Sequence, residues 1–200
     1  KVRGRYVRPD APEQSLQGGL NLLVTAGGQI EVSYDYVPLN GKGMLLEAGV
    51  SLVVPDFASE FHWLGAGPYA GYPGKDRLNE FGCFHLNRAD LNFQGNRRAV
   101  EIALLTTPAG AGLALGGDAM DVSVERINGG TALSHNALIS GRGTKFVEPD
   151  DMIKAENASR IAGKFTLFPL GTAWPAPLAD WFGQPGEAVA NKPYYHSYDQ

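Results

Sequence analysis

The stretch EFHWLGAGPYAGYPGKDR, Glu60 to Arg77, decides how this chain is read. It opens as a strand and passes into a loop in which Gly65, Gly67, Gly71 and Gly74 alternate with Pro68 and Pro73. Glycine reaches backbone angles that other residues avoid and proline fixes φ, so a loop punctuated in this way has one specific shape. Its polar end, Asp76 and Arg77, and its aromatics, Trp63, Tyr69 and Tyr72, mark it as a candidate functional segment. His62 and Trp63 are neighbours on the expected strand and so point to opposite faces. One belongs in the core and the other is expected to line a groove.

Working outward, Ile30, Val32, Tyr34 and Tyr36 alternate with Glu31, Ser33 and Asp35, the period of a half-buried strand. After the turn Asn40-Gly41-Lys42-Gly43, the residues Leu46, Ala48, Val50, Leu52 and Val54 form one face of a second strand. The short turn predicts that these two strands pair antiparallel. A brief apolar strand, Leu20–Thr25, precedes them. Downstream, 78–93 reads as irregular, and Val100–Thr107 with Leu113–Leu115 as a hairpin across Pro108-Ala109-Gly110. Asp121–Arg126 reads as a further strand, Thr131–Leu138 as a helical turn, Asp150–Asn157 as a connection and Lys164–Pro169 as the last core strand. The organisation expected is a lead-in over 1–19, a β-sandwich domain over 20–170 and an aromatic, Pro-rich tail over 171–200. Many short strands and frequent turns predict an all-β fold of antiparallel sheets packed face to face.

Two hundred residues suit one domain or a substantial part of a larger one. A formal net charge of −4 gives no electrostatic reason to expect a nucleic-acid partner. No apolar run approaches the ~20 residues that a membrane-spanning helix needs. The single cysteine, Cys83, has no partner for an internal disulfide. His85 shares its strand face, but a half-buried thiol beside a surface histidine is the plainer reading.

The Glu60–Arg77 stretch resembles the "W-L-G-x-G-P-x-x-x-Y-P-D-R" signature of the C-terminal β-sandwich domain of large β-galactosidases of glycoside hydrolase family 2. The match runs through Trp63-Leu64-Gly65, Gly67-Pro68, Tyr72-Pro73 and Asp76-Arg77, with Gly74 and Lys75 as an insertion. A second match, Gln94-Gly95-Asn96-Arg97, resembles the family's "Q-x-x-G-x-R" segment and is followed, as there, by a strand and a Gly-rich hairpin. The resemblance spans roughly residues 28 to 170. It implies the large sandwich shared with galactose mutarotase-like proteins, sometimes called a supersandwich, here as a part or a shortened version, because the family domain is longer before the signature. It implies as partners a catalytic barrel domain and a carbohydrate, and a bacterial periplasmic or cytoplasmic setting. A partial sandwich would also leave sheet edges that pair with another copy.

Glycoside hydrolysis takes two carboxyl groups across the sugar, about 5–5.5 Å apart in retaining enzymes. In the family these are glutamates of the upstream barrel, and no alternating strand–helix pattern is present here. The resemblance therefore implies a domain that is not catalytic alone. Trp63, Tyr69 and Tyr72 are candidates to stack on sugar rings, and Asp76, Arg77 and Arg97 to bind sugar or to pin the loop. The family's late "G-x-G-G-D-x-S-W" segment has no counterpart between Asn136 and Leu170, and Trp174 stands in a different context, so its active-site role is not carried over. No metal ligands cluster at metal spacing, and Gly65-Ala66-Gly67 leads into no helix, so no metal or dinucleotide cofactor is expected. Two alternatives stand beside this reading. One is an autonomous carbohydrate-binding module. The other is a mutarotase-type aldose epimerase, for which His62, His85 and His135 are available but no epimerase motif surrounds them.

Overall fold

The computed structural model describes residues 1–39, 43–87, 95–140, 152–158 and 160–185. In chain order these form β1 (Val2–Arg8), β2 (Ala11–Val24), β3 (Ile30–Leu39), β4 (Met44–Leu45), β5 (Glu47–Pro55), β6 (Glu60–Gly67), β7 (Glu80–Leu86), β8 (Gly95–Thr106), β9 (Gly112–Ile127), β10 (Gly130–Ile139), β11 (Ile153–Lys154) and β12 (Ile161–Leu170). One short helix, α1 (Ala176–Phe182), follows. Every strand pairing is antiparallel, and the fold is all-β and sandwich-like.

Two long strands build both layers. The first half of β9 pairs with β12 on one side and with the end of β8 on the other. This gives a long layer in the order β1-β2-β3-β12-β9-β8-β6-β7. The second half of β9 pairs with the start of β8 and with β10, which carries β5 outside it. The change of layer falls where the β8–β9 register slips, between Arg97 and Val100 and again between Val100 and Ile102. Ala99 and Ala119 sit there with φ of 50° and 43°, in the left-handed region that side chains avoid. Such bulges bend a strand and re-aim its side chains. Gly65 of β6 crosses this bend, and a Cβ on it would stand 2.9 Å from the Val100 Cα, which only glycine avoids.

The main core fills the space between the layers. Phe61, Trp63, Val32, Phe165, Leu105 and Leu115 come from the long layer, and Val122, Val124, Leu133 and Val54 from the short one. A buried hydrogen bond between the Tyr34 hydroxyl and His135 Nδ1, 2.8 Å, ties β3 to β10 across it. Burial pushes the Tyr34 hydroxyl pKa up and the His135 pKa down, so both stay neutral. A second, smaller core lies on the outer face of the long layer. There Leu64, Leu104 and Ala114 are covered by Trp174, Leu178 and Phe182 of the chain that follows β12.

Several expectations change. Residues 2–19 are not a polar lead-in but strand β1 and most of β2, paired antiparallel from Val2 with Leu20 to Arg8 with Ala11. β3 does not pair with β5: it lies between β2 and β12, while β5 lies beside β10. The short turn suggested a local hairpin, but the two strands belong to different layers. Its residues 40–42 lie outside the described ones. Glu80–Leu86, read as irregular, is the edge strand β7. Thr131–Leu138 is not a helical turn but part of β10, buried on both sides of its pleat. The Val100–Leu115 hairpin and the last core strand are as expected. No helix among the described residues is long and apolar enough to cross a membrane.

Candidate functional site

The Glu60–Arg77 loop closes over the start of β8. Beyond β6, the Gly67–Pro68 peptide is cis and the chain folds back along the free edge of Gly95–Arg98. The Gly71 amide donates to the Asn96 carbonyl at 2.8 Å, and Asn96 Nδ2 donates to the Gly71 carbonyl at 3.1 Å. The Asn96 amide donates to the Tyr72 hydroxyl at 3.3 Å. Arg98 Nη1 donates to Asp76 Oδ2 at 2.9 Å. The two segments that carry the family resemblance are thus in direct contact. The loop also covers a strand edge that would otherwise offer unpaired backbone groups.

Trp63 is fully buried between the layers. Its ring stacks on Phe61, its Nε1 donates to the Ala66 carbonyl at 3.0 Å, and the Arg97 guanidinium lies 4.8 Å from its centroid. Arg97 is itself buried beneath Gly95. Tyr72 is buried too, and burial raises its hydroxyl pKa. Neither ring offers a face to solvent. Asp76 is exposed and pairs with Arg98 rather than with Arg77, which is exposed and makes no side-chain hydrogen bond or ion pair among the described residues. Tyr69 is half-exposed, and its amide donates to Asn79 Oδ1. It lines a groove of about 470 Å³ together with Pro68, Leu78, Phe81 and Phe84. Of the six candidate residues, only Tyr69 is an aromatic set in an open hollow.

The sequence reading missed the polar cluster behind Asn96. Asn96 is fully buried on β8. Its Nδ2 donates to Asp121 Oδ1 at 2.8 Å, and its Oδ1 accepts from Asn136 Nδ2 at 3.2 Å. Asn136 Nδ2 also reaches Ser123 Oγ and Glu47 Oε2, and the Ser123 hydroxyl donates to Glu47 Oε2 at 3.0 Å. Glu47 is exposed as a whole residue, yet its carboxyl end is held by these partly buried donors. Burial of that end raises its pKa, with Glu125 and Asp121 adding to the rise and the Ser123 and Asn136 hydrogen bonds opposing it. These residues come from β5, β8, β9 and β10, so no local spacing announces them. We expect Asn96→Ala to cost on the order of 2–3 kcal/mol, because Asp121, Asn136 and the Gly71 carbonyl all lose a buried partner. Urea denaturation followed by tryptophan fluorescence measures it, and a loss below half of that would mean water replaces the amide.

A second cluster lies under α1. His85 Nε2 meets Glu60 Oε2 at 2.5 Å. His85 stacks on His62 with ring centroids 4.4 Å apart, and Trp174 and Phe182 meet the His62 ring edge-on. His62 and Trp63 do point to opposite faces, but both faces are covered. Trp174 Nε1 donates to the Gly110 carbonyl at 2.9 Å and is buried. Among the described residues no group of three or more His, Cys, Asp or Glu is placed to hold a metal ion. No family model and no curated protein sequence matches the chain.

Proposed function

We propose that the chain is a non-catalytic β-sandwich domain of a β-galactosidase-type, family 2-like glycoside hydrolase. It packs against the catalytic barrel and helps to frame the carbohydrate site, and hydrolysis belongs to the barrel. One observation carries the reading. The two segments resembling the family, 63–77 and 95–97, interlock through Gly71, Tyr72 and Asn96. Their contact gives the two matches one common structural setting. Three carboxylates near these segments have structural partners: Glu60 has His85, and Asp76 and Asp121 have Arg98. The reading predicts a barrel encoded in frame directly before Lys1; a reading frame that supplies none overturns it.

The groove beside Tyr69 favours a second reading, an autonomous carbohydrate-binding module. Phe81 is 59% exposed there, and aromatic faces stack on the C–H groups of sugar rings. Calorimetric titration with galactose, lactose and plant-type oligosaccharides separates the two. Flat titrations from folded protein support the accessory domain. Saturable binding that Tyr69→Ala and Phe81→Ala each weaken at least tenfold, at unchanged melting temperature, establishes the binding module instead.

A further inference from the structure

A cleft of about 540 Å³ opens where β1–β3 of the long layer approach β5 and β10 of the short one. Tyr6, Leu16, Pro38, Ala48 and Ile161 give it mostly apolar walls. Its volume lies within the ~300–1,000 Å³ range of small-molecule sites. Glu47 is the only charged side chain among the described residues that line it, and it borders a second hollow of about 360 Å³ with Ser123 and Glu125. We infer that this cleft binds a small organic amine, its apolar body against Tyr6 and Leu16 and its ammonium group on Glu47.

The argument is one of missing charge. Among the described residues, Glu47 is held by the neutral donors Ser123 and Asn136, and the charged neighbours that act on it, Glu125 and Asp121, are both negative. A carboxylate withdrawn from water is stabilised by a cation or a full set of donors. An ammonium group provides three N–H donors and the opposing charge together. The neighbours fix the polarity: a ligand carboxylate would add repulsion, and a neutral hydroxyl would leave the charge uncompensated. Asn136 and Ser123 hold the carboxylate in place before the ligand arrives, so little order is lost on binding. This site is separate from the Tyr69 groove and does not rest on the hydrolase reading.

Three probes of one shape test it: tryptamine, tryptophol and indole-3-propionate, titrated calorimetrically into the full chain at neutral pH. Saturable one-to-one binding of tryptamine is expected, with tryptophol at least tenfold weaker and the acid weaker still. Glu47→Gln, close to isosteric, is expected to weaken tryptamine at least tenfold and leave tryptophol unchanged. Equal affinity for amine and alcohol, or no binding of tryptamine, overturns the assignment. So does displacement of tryptamine by stoichiometric calcium chloride, which would make Glu47 a metal ligand. Should Glu47→Gln fail to fold, the amine-to-alcohol ratio in the unaltered protein decides alone.

Discussion

Trp63→Ala is expected to remove about 3–5 kcal/mol of stability, the usual cost of truncating a fully buried large aromatic. Against a typical total of about 5–15 kcal/mol, that leaves the domain near its unfolding threshold. The loss has three parts. The indole vacates a volume between Phe61 and Phe84 that no neighbouring backbone can fill, since β6 is paired on both sides. Its Nε1 bond to the Ala66 carbonyl disappears at the point where β6 turns into the loop. The Arg97 guanidinium loses the ring face that accommodates it, worth about 0.5–2 kcal/mol for a cation over tryptophan. Urea denaturation of the variant should show a much lower midpoint. A variant that kept its midpoint and lost sugar affinity would instead give Trp63 a ligand-binding role.

That variant also shows what kind of information the Glu60–Arg77 stretch carries. Its alternation of glycine, proline and aromatics predicted a loop of one defined shape. The shape serves first to seat Gly71 and Tyr72 on Asn96 and to place Asp76 by Arg98. β3, with its period-two alternation, was legible because one of its faces lies in the core and the other outside it, whereas β12 alternates only weakly because Phe168 and Leu170 on its outer face pack against the second core. β10 was not: it is flanked by β5 and β9, and its polar residues His135 and Asn136 sit in buried hydrogen bonds rather than in solvent, which blurs the alternation. The β1–β2 hairpin escaped notice for the opposite reason. Its outer strand is an edge and much of its surface is exposed, so little apolar patterning is required. Most of all, the Glu47–Ser123–Asn136–Asn96 cluster joins residues up to 89 positions apart through two bulged strands. Composition and spacing describe residues near in sequence, and the bend that assembles this cluster depends on two alanines at positive φ.

Acidification below pH 6.5 should destabilise the fold, and His62 is the reason. Burial, with the adjacent His85 adding to it, pushes the His62 pKa down to about 3 from 6.5. Between those values the unfolded chain binds a proton that the folded one excludes. Stability is therefore unaffected above pH 6.5 and falls with pH below it, by about 1.4 kcal/mol per unit. From pH 7 to pH 5 the loss is on the order of 2 kcal/mol. His135, also depressed by burial, acts in the same direction. Glu47, with a raised pKa, acts in the opposite one, since as pH falls the folded state takes up its proton before the unfolded chain does. The groups facing His62 leave it no way to accept charge: His85 is stacked on one side and already occupied with Glu60, and Trp174 and Phe182 close the other. His62→Phe keeps a ring beneath α1 and removes the titration. Its denaturation midpoint should change less between pH 7 and pH 5 than that of the unaltered protein, the difference being the His62 share. Identical slopes would mean that the segment after β12 lifts away at little cost and admits the proton, and the helix would then be a weakly held cover rather than part of the second core.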